Sequence, residues 1–309
     1  MKRLIAAERF SLTGHILSLV FGWAGLLLVL PNPELIASLS ETGQQAFQWS
    51  MAGGGVVYML LGTMAVAIYA YRTLGTWHWL TFMLPAVLIS LCSELLGTST
   101  GFPFGHYRYL SGLGYKVAGL VPFTIPLSWF YVGFSAYIIA RAGLERPQIK
   151  GWMKEVGAIA LGSLLLTFWD FVLDPAMSQL DVPFWIWEQP GAFFGMPYQN
   201  FIGWFGTGVV FMTVATLLWK KAPVAMPRTR LGLPLAIYLS NIIFGAVLSL
   251  AGGFVIPVVL GLFFGVAPAL VLYAVARPSR QEIAANLEKA TFSEKETSLP
   301  VTSCGAISK

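Results

Sequence analysis

Three carboxylic acids stand inside strongly apolar stretches of the sequence: Glu94, Asp170 and Asp174. Placing a carboxyl group in hydrocarbon costs roughly 2.5–3.5 kcal/mol, so acids in such stretches are candidates for function. Asp170 and Asp174 are four residues apart and therefore share one face of a helix. A carboxyl group that is withdrawn from water can retain its proton near neutral pH. The chemistry open to these three side chains is therefore the donation and acceptance of protons.

A second interpretation of these acids is that they lie at helix ends and simply reach interfacial water, which lowers their cost. This alternative is strongest for Asp174, which Pro175 follows at once. It is weaker for Glu94 and Asp170, because their neighbours along the chain are apolar.

Each acid-bearing stretch leads into a long loop that is rich in glycine, proline and aromatic residues. These residue types favour tight turns and interrupt helices. We expect both loops to fold back over the helix ends as a lid, although an aromatic belt at the membrane interface is the rival explanation. Polar and aromatic candidates in or beside the loops are His106, Tyr107, Arg108, Lys116, Trp169, Trp185, Trp187, Glu188, Asn200 and Trp204.

The composition identifies the elements that position these residues. The 309 residues are 56% hydrophobic and only 11% charged, with a mean hydropathy of +0.70. Soluble domains are about 25% charged, so a water-soluble globular protein is excluded. Apolar runs of about 20 residues are typical of membrane helices. We predict an all-α, polytopic membrane bundle with about eight spans, at 11–30, 50–71, 77–96, 120–141, 155–174, 200–219, 231–250 and 254–276.

The basic residues predict the orientation of this bundle. With a cytoplasmic N-terminus, all but two of the 19 basic residues fall on the cytoplasmic side, as the positive-inside rule requires. Both termini are then cytoplasmic, and the net charge of +5 needs no nucleic-acid partner. The two exceptions, Arg108 and Lys116, lie in the outer loop after the third span. We expect residues 1–276 to form one domain and residues 277–309 to be a polar, disordered cytoplasmic tail.

Signatures of metal and cofactor sites are missing from the sequence. It has two cysteines, and no His/Cys zinc spacing, glycine-rich phosphate loop or dinucleotide fingerprint. His15 and His78 stand alone near span ends, and His106 is a single histidine within its loop. We therefore expect no metal and no cofactor.

The two loops carry a resemblance to a known family. Residues 94–107 (ELLGTSTGFPFGHY) and the pattern Trp-x-Trp-Glu…Gly-x-Pro-x-x-Asn-Phe-x-Gly-Trp, from Trp185 to Trp204, resemble the integral-membrane carotenoid biosynthesis family. Its known members are the CruF-type γ-carotene hydratases and the bisanhydrobacterioruberin hydratases. The resemblance runs over roughly 50–276 and is specific in the loops.

The resemblance implies that water adds across the terminal 1,2 double bond of an acyclic ψ end group, in γ-carotene or a lycopene-like substrate, to give a tertiary alcohol. Protonation of the alkene gives a tertiary carbocation that water captures, and no redox cofactor is required. Positioned acid–base catalysis contributes about 10²–10⁴-fold. Glu94, Asp170 and Asp174 are then the catalytic acids. The aromatic faces that would stabilise the cation are those of Tyr107, Trp169, Trp185, Trp187 and Trp204. Asn200 and Glu188 are expected to hold the water, and His106 to contact substrate. Arg108 and Lys116 either hold a carboxylate ionised as a base or meet lipid headgroups.

This assignment also implies partners and a location. The partners are the carotenoid, water and the lipid bilayer, and other enzymes of carotenoid biosynthesis are candidates. The location is a bacterial inner membrane, or a thylakoid if the host has one. Two other functions stay open: an isoprenoid diphosphate transferase that uses Asp170 and Asp174, and a transporter or lipid-binding protein with an intramembrane proton relay.

Overall fold

The computed structural model describes residues 1–223 and 226–277, which are mostly helical. Two π-helical segments, Ala24–Val29 and Gly261–Val266, extend the first helix and join the last two. The helices in the described residues are α1 (Lys2–Trp23), α2 (Pro33–Ser38), α3 (Glu41–Leu74), α4 (Thr76–Thr100), α5 (Thr124–Gly143), α6 (Gly151–Ser178), α7 (Gln199–Trp219), α8 (Gly232–Ala251), α9 (Val255–Leu260) and α10 (Ala267–Ala276). Apart from Arg277, the tail expected at residues 277–309 lies outside the described residues.

Seven helical stretches of the described chain are long and apolar enough to cross a membrane. They are Lys2–Val29, Glu41–Leu74, Thr76–Thr100, Gly151–Ser178, Gln199–Trp219, Gly232–Ala251 and Val255–Ala276. The predicted all-α, polytopic membrane bundle is confirmed, and the protein is a multi-pass membrane protein.

Helix α5 occupies the fourth expected span but is not among these seven. It packs against α3, α4, α6, α8 and α10, and nearly all of its residues are buried. Because other helices surround α5, its side chains need not be compatible with lipid. It can therefore carry polar groups such as Ser128 and Ser135 and large aromatics such as Trp129. This helix is the centre of the bundle.

The two acid-bearing helices extend further than the sequence indicated. α4 continues to Thr100 and ends at Gly101, whose φ of +81° is the left-handed conformation that terminates many helices. α6 continues through Pro175 to Ser178. The acids therefore lie inside the helices, and the interpretation of Asp174 as a solvated helix-end residue is wrong, because its exposed fraction is only 1%.

The loops that follow α4 and α6 are joined by a small antiparallel sheet. Strand β1 (Tyr107–Tyr109) lies in the first loop, together with β2 (Lys116–Val117) and β3 (Val121–Pro122), which pair with each other. Strand β4 (Trp185–Trp187) lies in the second loop and pairs with β1. This pairing joins the two loops, and side chains of both strands reach carboxyl groups of the helices, which confirms the predicted lid.

A fourth buried acid lies outside the predicted spans. Helix α1 begins before residue 11 and includes Glu8, whose carboxylate accepts two hydrogen bonds of 2.9 Å from the guanidinium of Arg72 in α3. A bidentate arginine pair satisfies the buried charge. Glu8 therefore ties α1 to α3 and belongs to the scaffold.

Candidate active site

The three acids singled out in the sequence line one cavity of about 50 Å³. Glu94 comes from α4, and Asp170 and Asp174 come from α6. All three are buried, with exposed fractions of 3%, 1% and 1%. Predicted site residues that also line the cavity are Tyr107, Trp169, Trp185, Trp187, Asn200 and Trp204.

Glu94 is held by three neutral donors. Its Oε2 accepts hydrogen bonds from the hydroxyl of Tyr107 and, at 2.9 Å, from the hydroxyl of Tyr109. Its Oε1 accepts from Nε1 of Trp129 at 3.0 Å. Three donors directed at one carboxyl group suit the acceptor-only, ionised form.

Asp174 is held in the same manner by donors from the second loop and its own helix. Its Oδ1 accepts from Nε1 of Trp187 and from Oγ of Ser178, both at 2.9 Å. Its Oδ2 accepts from Nε1 of Trp185 at 3.0 Å. Asp174 is thus a second carboxyl group with donors on both oxygens.

Asp170 differs from the other two acids. Its Oδ2 accepts from Nδ2 of Asn200 at 2.7 Å. Its Oδ1 is buried and has no hydrogen-bond partner among the described residues. A buried carboxylate oxygen without a partner is costly, whereas a protonated carboxyl group avoids that charge. Asp170 therefore has one oxygen that accepts no hydrogen bond from the described residues and can carry a proton.

Aromatic rings form the remaining walls of the cavity. The rings of Trp129 and Trp204 stack with centroids 4.3 Å apart, and Trp169 meets the edge of Trp204 at 5.7 Å. The face of an aromatic ring attracts a cation by about 0.5–2 kcal/mol, most strongly when water is excluded. The cavity thus combines carboxyl groups with surfaces that stabilise positive charge.

The two tyrosines beside Glu94 act as donors. Burial and the nearby Glu94 carboxylate raise the pKa of Tyr107 and Tyr109 well above the usual value for tyrosine. Both phenols therefore stay protonated and keep their hydrogen bonds to Glu94.

Four other predicted site residues lie away from the cavity. Arg108 and Glu188 are exposed and form an ion pair of 3.1 Å with each other. His106 is exposed. Lys116 donates from Nζ to the backbone oxygen of Tyr109 at 2.7 Å, so it supports β1 from outside.

Two cavity residues that donate hydrogen bonds to Glu94, Tyr109 and Trp129, were missed in the sequence. Tyr109 follows Tyr107 by two positions, and side chains two apart point to the same face of a strand. The strand pattern of β1, buried at Tyr107 and Tyr109 and exposed at Arg108, is the signal that could have identified it. Trp129 had no comparable signal, because it lies among other large apolar residues in α5.

In the described part of the chain, no group of three or more His, Cys, Asp or Glu side chains has the arrangement of a metal site. The donors around Glu94 and Asp174 are hydroxyl and indole groups, which orient these two carboxyl groups.

Sequence comparisons connect this site to carotenoid metabolism. The profile of a family described as "Carotenoid biosynthesis protein" matches residues 54–268. A bisanhydrobacterioruberin hydratase of Haloarcula japonica is 34% identical over 132 residues, which is 43% of this chain and 41% of that protein. The match thus spans about two fifths of the length of that relative. No solved structure is detectably similar to the chain.

Proposed function

The chain belongs to the carotenoid biosynthesis protein family, and from this premise we propose that it is a carotenoid hydratase. The reaction is the addition of water across the terminal 1,2 double bond of an acyclic ψ end group, which gives a tertiary alcohol. The hydratase name of the Haloarcula japonica relative supports this activity. The observation that carries the proposal is the unpartnered Oδ1 of Asp170, a residue that lines one small cavity together with Glu94 and Asp174, whose carboxyl oxygens all accept hydrogen bonds.

In this mechanism Asp170 is the general acid. Its Oδ1 proton moves to the less substituted carbon of the alkene, the π electrons form the new C–H bond, and a tertiary cation remains. A water molecule then adds to the cation through its oxygen. The resulting oxonium returns a proton to Asp170, so the acid is regenerated and the net change is the addition of one water.

The other groups position Asp170 and stabilise the cation. Asn200 donates to Oδ2 of Asp170 and so leaves Oδ1 as the protonated oxygen. In this mechanism Glu94 and Asp174 are ionised, because donors hold both oxygens of each carboxyl group. Trp129 and Trp204 add aromatic faces to the cavity wall. Charges that are fixed before reaction stabilise a developing cation without reorganisation.

A pigment assay tests the function. The chain is expressed in a bacterial host that accumulates lycopene, and the extracted pigments are separated and weighed by mass spectrometry. We expect a more polar pigment that is heavier by one water, with nearly unchanged visible absorption, because the terminal alkene lies outside the conjugated system. A longer carbon skeleton would indicate a transferase, and an unaltered pigment would indicate a transporter or lipid-binding protein; either result contradicts the proposal.

A further inference from the structure

A second and much larger cavity adjoins the cavity of the acids. It has a volume of about 600 Å³ and lies between α1 and the first half of α3. Tyr58, Leu113 and Met177 line both cavities, so these three side chains form the boundary between them. We call this second cavity the α1–α3 groove.

The lining of the α1–α3 groove is apolar and aromatic. It includes Phe21 from α1, Trp49 from α3, Phe184 from the second loop and Phe244 from α8. Phe21 and Trp49 are exposed on the outer surface of their helices. In a membrane protein that surface faces lipid, so the groove is open to apolar molecules dissolved in the bilayer.

Glycines create the open space of the groove. Gly53 and Gly54 in α3 line it, and a Cβ atom added at either position would meet nothing within 4 Å. The next residue, Gly55, serves a different purpose, because a Cβ there would lie 2.5 Å from the backbone oxygen of Gly112. Gly55 therefore lets the first loop approach α3 and places Leu113 at the boundary of the two cavities.

The volumes of the two cavities limit what each can hold. A cavity must have a volume of at least about 10–15 Å³, measured in the same way, to hold one water molecule. The acid cavity, at about 50 Å³, therefore has room for a few water-sized groups. A long hydrocarbon cannot enter it, and only the tip of such a molecule can reach Asp170.

We propose that the α1–α3 groove binds the polyene chain of the carotenoid, so that its ψ end group passes between Tyr58, Leu113 and Met177 to reach Asp170. This inference rests on the proposed function, since it takes the substrate class from there. The boundary that the two cavities share, the aromatic lining and the opening toward lipid favour a long polyene in the groove over a substrate contained within the acid cavity. A membrane lipid acyl chain is the competing occupant.

Filling the groove tests the proposal. The variants are Gly53→Leu and Gly54→Leu, each combined with Asp170→Asn in the same chain so that bound pigment is not converted. The matched control is Gly206→Leu in α7, a helical glycine whose added Cβ also meets nothing within 4 Å and which lines neither cavity. Each protein is purified in detergent from cells that accumulate lycopene, and retained pigment is measured per protein by visible absorption.

We expect the Asp170→Asn parent and the Gly206→Leu control to retain pigment equally, and Gly53→Leu and Gly54→Leu each to retain at least about tenfold less. Equal retention in all four proteins would assign the groove to lipid and overturn the proposal. Absence of pigment from the parent, or an equal loss in Gly206→Leu, would overturn it as well.

A second measurement separates groove filling from misfolding. In the otherwise unaltered chain, Gly54→Leu should lose hydration of lycopene but keep hydration of a short acyclic isoprenoid with the same end group. Equal loss of hydration activity toward both substrates would contradict binding of the polyene chain in the α1–α3 groove. The unaltered chain could hydrate neither substrate while pigment retention still depends on Gly54. That result would support pigment binding in the groove and contradict the proposed hydratase function.

Discussion

Tyr107 and Trp187 are direct partners across the β1–β4 sheet, with ring centroids 5.2 Å apart, yet their polar atoms bind different carboxyl groups. Tyr107 donates to Glu94, and Trp187 donates to Asp174. One small sheet thus fixes two acids that come from different helices. Asp170 receives no donor from the sheet, which leaves its Oδ1 available.

Asp170→Asn should abolish hydration. The amide cannot supply the proton, and the expected loss is about 10²–10⁴-fold, the usual contribution of a positioned acid. The measurement is the rate of hydrated pigment formation in isolated membranes, normalised to the amount of protein.

Asp181→Asn is the control for this variant, because Asp181 is an exposed acid in the second loop. It should leave the rate unchanged. If Asp170→Asn keeps more than about a tenth of the activity, another group supplies the proton and the assignment fails.

Tyr107→Phe and Trp187→Phe should each lower activity while the chain remains inserted. Each removes one hydrogen bond to a buried carboxyl group, and such bonds to charged groups contribute about 1.5–3 kcal/mol. The measurements are the hydration rate and the midpoint of thermal unfolding in detergent.

Trp152→Phe is the matched control for the tryptophan variant, because Trp152 is exposed at the start of α6. A Trp187→Phe protein that behaves like Trp152→Phe in both measurements would show that Asp174 does not depend on the indole donor.

Arg108→Ala and Glu188→Ala should have little effect. Their ion pair is exposed, and exposed pairs contribute about 0–1 kcal/mol. Neither side chain lines the acid cavity. The hydration rate and the Michaelis constant for lycopene in detergent are the measurements, and a severalfold rise in the Michaelis constant would place these residues at the substrate.

Arg72→Leu should destabilise the bundle without touching the acid cavity. Removing one partner of a buried ion pair costs about 3–5 kcal/mol, because the other charge stays buried and unpaired. Glu8→Leu combined with Arg72→Leu should restore most of that stability. Thermal unfolding of both variants in detergent measures this, and equal midpoints for the two would contradict the pairing.

The sequence was sufficient for the parts of the structure that depend on local composition. Long apolar runs predicted the helices, and the cost of acids in hydrocarbon identified Glu94, Asp170 and Asp174, which the structure places in one cavity. Glycine, proline and aromatic residues predicted the lid formed by the two loops.

The partners of each acid depend on contacts between distant segments and could not be predicted. Two donors of Glu94, Tyr107 and Tyr109, lie in β1, which pairs with the distant strand β4. The third donor, Trp129, comes from α5. The register of β1 against β4 also decides that Arg108 and Glu188 face outward, although their residue types suggested roles at the site. The sequence did not identify Glu8 as a buried acid, because α1 begins well before the apolar run from which the helix was predicted.

Side chains alternate between the two faces along β1 and β4, so the site depends on the register in which these two strands pair. A slip of one residue in a strand turns every side chain to the opposite face. In β1 such a slip would withdraw both phenols and direct the guanidinium of Arg108 toward Glu94. Mutations in the turns that set the lengths of the two loops can therefore inactivate the protein without altering any group at the cavity.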